Sequence, residues 1–124
     1  MDGKKIQSYR DLIVWQKSMD LCEWVYIATQ DYPKTEIYGL TSQTRRCSVS
    51  IPSNIAEGFQ RGHKKEYIQF LYIAFGSGAE LETQLLIALR VGYLKKEKFD
   101  ELNGLLQEVM KMLNSLINKL EIGR

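Results

Sequence analysis

Apolar residues recur at spacings of three and four along nearly the whole chain, and the pattern divides into four helical stretches. The first runs from about Asp11 to Gln30. Leu12, Trp15, Met19, Cys22 and Tyr26 make one row, and Val14, Leu21, Val25 and Ala28 make a second on another face. Pro33 forces Tyr32 out of helical geometry and Gly39 offers a flexible backbone, so the DYPKTEIYG stretch ends this helix. The second runs from about Leu40 to Phe59. It carries Leu40, Cys47, Ile51 and Ile55 in one row, with Val49 and Ala56 on the far side. Pro52 lies inside it and removes one backbone hydrogen bond. The apolar pattern continues on both sides of Pro52, which predicts a kink rather than a stop.

The third stretch, about Lys64 to Val91, follows a turn bracketed by Gly58 and Gly62. It is apolar on one face through Tyr67, Phe70, Leu71, Ala74, Gly78, Leu81, Leu85 and Leu89. Ile68, Tyr72, Phe75, Ala79 and Leu86 make a second face, and Ile73, Ile87 and Val91 a third side. A helix apolar nearly all round is a buried helix. With only three other helices to cover it, a subunit interface is the expected extra cover. After the GYLKK turn, the fourth stretch, about Glu97 to Leu120, is cleanly amphipathic. Its seam is Phe99, Leu102, Leu106, Val109, Leu113, Leu116, Ile117 and Leu120. Short turns between long helices imply antiparallel neighbours. The predicted fold is therefore all-α, an antiparallel up-and-down four-helix bundle in a single domain over residues 1–124, associating into a homo-oligomer.

Composition narrows the partners. The 124 residues suffice for a real core. Seventeen Lys and Arg against fifteen Asp and Glu give a net charge of +2, mildly basic and far from an arginine-rich tail. Cys22 and Cys47 lack metal-site spacing, and each falls on an apolar stripe, so both read as buried reduced thiols. MDGKKIQSYRD has no apolar core of a signal peptide, and no run of about 18 apolar residues is present. No membrane association is expected, and the cytoplasm is the default compartment.

Candidate chemistry concentrates in two polar stripes. Gln43, Arg46, Ser50, Asn54 and Glu57 share one face of the second helix, and Ser77, Glu80 and Gln84 share one of the third. The expected role is structural: a buried hydrogen-bonded network between the helices, with Arg46 facing a carboxylate, that fixes their register. The catalytic alternative pairs Glu57 with Glu80 for acid–base work or a metal. A di-metal bundle wants Glu-x-x-His pairs, and the only histidine, His63, has no such partner and sits in a turn. Gly76-Ser77-Gly78 lacks phosphate-loop spacing and lies mid-helix, where small residues permit close helix approach. No cofactor, metal or catalytic residue is expected. Cations cluster at the two later turns, Arg61 with His63, Lys64 and Lys65, and Lys95 with Lys96 and Lys98. Antiparallel topology sends these clusters to opposite ends of the bundle. Repeated around an oligomeric ring, each would make a rim able to engage a polyanion.

The run from DLIVWQKSMDL through YPKTEIYGLTSQTRRCSVSIPSNIAEG to GSGAELETQLLIALRVGYL resembles the bacterial four-helix bundle family encoded in intervening sequences of 23S rRNA genes. Asn54-Ile55-Ala56-Glu57-Gly58, Gly76-Ser77 and Glu80 to Gln84 carry the likeness most specifically. The resemblance implies an antiparallel four-helix bundle, a ring-shaped homopentamer, and kinship with the accessory protein of diversity-generating retroelements, which associates with a reverse transcriptase and nucleic acid. It implies no catalytic residues. The expected function is thus a non-enzymatic module associated with RNA or a nucleic-acid-processing protein. Arg45, Arg61, Lys64, Lys65, Lys95, Lys96 and Lys98 would contact phosphates. The alternative is a scaffold that docks a partner protein through exposed Trp24 and Tyr38.

Overall fold

A computed structural model describes residues 5–123, and among them all regular structure is helical. Four long helices follow one another: α1 (Ile13–Thr29), α2 (Leu40–Arg61), α3 (Lys64–Arg90) and α4 (Lys96–Ile122). Single 3-10 turns, Tyr9–Asp11 and Lys34–Glu36, precede α1 and α2. Ser8 caps the first of these. Its Oγ accepts from the Arg10 N–H at 3.1 Å, and Asp11 Oδ2 accepts from the Ser8 N–H at 3.1 Å. Such reciprocal bonds satisfy backbone donors that a helix start leaves free.

Each helix packs on its neighbour in sequence, and α1 closes the ring of four against α4. Cross-helix bonds show every neighbour running antiparallel. Thr29 meets Arg45 while Cys22 meets Ser48, and Cys47 meets Glu80 while Ser50 meets Ser77. Glu82 meets Gln107 while Lys64 meets Gly123. Lys17 and Glu108 join α1 to α4 at 3.3 Å. Residues 30–39 join α1 to α2, and the two later turns are shorter. Gly62 and Gly92 take the left-handed conformation, at φ +77° and +87°, which glycine adopts without the Cβ penalty.

The core is one cluster drawn from all four helices, with Leu21, Ile51, Ile55, Leu71, Leu81, Leu85, Leu102, Leu106 and Leu113 fully buried. Burial of each such side chain contributes about 1.5–3 kcal/mol. On α1 the buried face is Val14, Leu21, Val25 and Ala28, continued by Ser18 and Thr29; Met19 and Tyr26, from the other row, are exposed. The two buried hydroxyls donate to carbonyls of their own helix, Ser18 to Trp15 and Thr29 to Val25, both at 2.8 Å. They can therefore replace apolar residues on the inner face. α2 stays helical across Pro52, whose ring is buried. Within the single chain α3 is buried on one face only. Leu71, Ala74, Gly78, Leu81, Leu85 and Ala88 face the core, but Ile73, Ile87 and Val91 are 51, 44 and 56% exposed. Its two neighbours, α2 and α4, cover only part of it, so its third side lies open in the single chain.

Candidate functional site

The seven cations expected to meet phosphates fall into three places, not one patch. At the α2–α3 turn, Arg61 donates to Glu57 Oε2 at 2.9 Å and lies 4.0 Å from Glu66, so its charge is neutralised and its pKa raised. Lys64 donates to the Gly123 carbonyl at 2.7 Å, a bond that leaves its charge uncompensated. Lys65 is exposed and has no partner among the described residues. At the opposite end, Lys96 pairs with Asp100 at 2.8 Å and Lys98 with Glu101 at 3.1 Å, while Lys95 is unpaired among the described residues. Arg45 sits at neither end. Its Nε donates to Thr29 Oγ1 at 2.8 Å and its guanidinium lies 4.8 Å over the Tyr26 ring, half-buried between α1 and α2. Exposed pairs such as Lys96–Asp100 contribute only about 0–1 kcal/mol, yet they cancel the local field. Arg45, Lys64, Lys65 and Lys95 keep a charge that no described carboxylate neutralises.

The polar stripes of α2 and α3 do face each other, with hydrogen bonds crossing at their centre and again where Cys47 meets Glu80. Ser50 Oγ and Ser77 Oγ share a hydrogen bond of 2.8 Å, and Asn54 Nδ2 donates to the Ser50 carbonyl at 2.8 Å and to its Oγ at 3.0 Å. Ser77 is buried; Gln43, Arg46, Glu57 and Glu80 are exposed. The expectation of one buried network is therefore corrected. The eight residues are not one buried network, because the long side chains reach water instead of being desolvated. Arg46 shares a groove with Glu80 but makes no side-chain hydrogen bond or ion pair among the described residues. Glu57 and Glu80 are not a pair either. Gly58 abuts Phe70 and Cys47 abuts Glu80, which separates the two carboxylates by about ten residues, or ~15 Å of helix.

One member of the stripe escaped the sequence reading. Cys47 lies four residues after Gln43 and three before Ser50, the spacing that should have placed it there. Its thiol donates to Glu80 Oε1 at 3.6 Å, and burial together with the Glu80 carboxylate pushes its pKa up, so it stays protonated near neutral pH. Beside it, Gln84 Oε1 is buried with no donor. Arg46, Glu80 and Gln84 line a groove of about 490 Å³ between α2 and α3, with Tyr38 on its rim. Gly76 faces open space and Gly78 packs against Met110, so the Gly-Ser-Gly run serves helix contact. No cluster of three or more metal-ligating side chains occurs among the described residues, and no described helix is long and apolar enough to cross a membrane.

Residues 10–115 match the family described as 23S rRNA-intervening sequence protein. The chain belongs to that family. A crystal structure of a protein of unknown function, from the S23 ribosomal protein family of Bacteroides thetaiotaomicron, superposes with a TM-score of 0.79 at 26% identity. The alignment covers 88% of this chain and 98% of that one. No curated protein matches the sequence. The family match runs from the start of α1 through most of α4, so the groove and both turn clusters of this 23S rRNA-intervening sequence family member lie within it.

Proposed function

We propose that this protein is a non-enzymatic, homo-oligomeric module that associates with RNA, or with a protein that handles RNA, through phosphate contacts from its unneutralised cations. The observation that carries the reading is the uneven use of those cations. Arg61, Lys96 and Lys98 are held by carboxylates, whereas Lys64, Lys65, Lys95 and Arg45 are not. The family's description names an intervening sequence of 23S rRNA, and a structured RNA is the first ligand to test. The uncovered side of α3 supports assembly into a ring, which would repeat the free lysines around a rim and multiply a net charge of only +2.

The test is binding to a structured RNA by fluorescence anisotropy across a salt titration. Affinity is expected to fall steeply with salt. Lys64→Glu with Lys65→Glu should flatten the slope of log affinity against log salt by about 1.5, two phosphate contacts' worth, and weaken binding more than Lys96→Glu with Lys98→Glu. Helicity should be unchanged. Equal effects of the two double variants would remove the charge argument. No binding at low salt would move the function to the scaffold reading, which the exposure of Trp24 and Tyr38, 44 and 95%, favours.

A further inference from the structure

Two grooves meet across the outer face of α2. The 490 Å³ groove toward α3 and a second, of about 440 Å³ toward α1, have Ser42 and Arg46 in common, so they adjoin across α2 as a track divided by those two side chains. Each is within the range of about 300–1,000 Å³ that small ligands occupy. Tyr38, Arg46 and Glu80 are the unspent side chains along the track. Tyr38 is 95% exposed, so its ring contributes almost nothing to the fold. Arg46 has no partner among the described residues. Glu80 is exposed and accepts only a long bond from a thiol. On the α1 side, Arg45 is held by Thr29 and Tyr26 with its charge uncompensated. The track therefore offers a bare aromatic face, an exposed carboxylate and a guanidinium group on either side of its divide.

We propose that this track binds an unpaired nucleotide of single-stranded RNA, with guanine the preferred base. The inference rests on the RNA association proposed above and names the part of the RNA that this face takes. Single-strand binders combine aromatic platforms with a cationic path for the backbone, and unstacked bases are read along their Watson–Crick edges. Here the base stacks on Tyr38, and Arg46 and Arg45 meet successive phosphates. The acceptors select the base. Guanine alone presents two adjacent donors, N1–H and N2–H, to the two oxygens of a carboxylate. Uracil sets carbonyls on both sides of its single N–H, and adenine and cytosine place an acceptor beside their amino group. An apolar protein patch would leave Arg46 and Glu80 desolvated without partners, which is costly.

The experiment uses fluorescein-labelled oligo(U) strands carrying one central G, A, C or U, with the purified full chain. The G strand is expected to bind about tenfold more tightly than the U strand, the discrimination of one bidentate pair. Glu80→Gln should abolish that preference, and Tyr38→Ala should weaken all four strands. Lys64→Glu with Lys65→Glu should weaken structured RNA while sparing the preference for G. Both track variants change exposed side chains, and circular dichroism verifies that they fold. Equal affinity for the four strands, or indifference to both substitutions, overturns the inference while structured-RNA binding leaves the broader reading intact. Should no RNA of any kind bind, both fail together. Should Tyr38→Ala and Glu80→Gln change the assembly mass instead, the track is a protein contact and the inference is overturned.

Discussion

Gly58 and Gly78 show how differently two close approaches constrain a helix pair. A Cβ at Gly58 would stand 2.7 Å from Phe70 Cβ and 3.3 Å from the Tyr67 carbonyl, atoms fixed to the α3 backbone. A Cβ at Gly78 would meet chiefly the sulfur of Met110, the far end of an unbranched, adaptable side chain. Alanine in a helix regains about 1 kcal/mol over glycine. Overpacking a fixed contact costs about 1–3 kcal/mol. Gly58→Ala should therefore lower stability by up to about 2 kcal/mol, and Gly78→Ala should leave it nearly unchanged, as read from urea unfolding midpoints. Reading the Gly-Ser-Gly run as a place of close helix approach came from its position mid-helix. Which glycine makes the approach did not, because Gly76 and Gly78 differ only in the direction they face.

Among the elements, the α1–α2 connection and the α3–α4 turn are clasped by one side chain. Glu36 Oε1 accepts from the Leu40 N–H at 3.0 Å, capping α2, and Oε2 accepts from the Tyr93 hydroxyl at 2.9 Å. The backbone bond first, then the Tyr93 hydroxyl, holds the Glu36 pKa below its ordinary value of 4.5. Its contribution to stability is thus complete above pH 4.5 and is lost as pH falls through the lower folded value. Glu36→Gln should destabilise the protein near neutral pH, and the gap from wild type should close on acidification below 4.5, as followed by urea midpoints at both pH values. Helix number and most helix ends were legible because Pro33, Gly62 and Gly92 interrupt strong apolar periodicity. The inner face of α1 was not, because two apolar rows compete there and the buried Ser18 and Thr29 hide within the true one. The extent of the α2–α3 network was equally hidden. Spacing puts Arg46 and Glu57 on the stripe but does not say that long side chains at its margins turn outward.

For the molecule as a whole, the apolar excess of α3 was the clearest message of the sequence, and its third side remains exposed at Ile73, Ile87 and Val91. Assembly through this side predicts that the wild-type chain has a mass several times that of one protomer, and that Ile87→Glu reduces the mass toward one chain without loss of helicity. Light scattering after size-exclusion chromatography makes the comparison, and a monomeric wild type would refute it. The charge distribution was less legible, since ion pairs such as Lys96–Asp100 depend on rotamers that a sequence does not display. The neighbour order of the helices has a kinetic meaning of its own. Three of the four helix contacts join consecutive segments, and only the α1–α4 seam, fastened at Lys17 and Glu108, spans the chain. Such low contact order belongs to domains that fold in microseconds to milliseconds. Loop closure makes that one distant seam the costliest contact to form, so weakening it should speed unfolding far more than it slows folding.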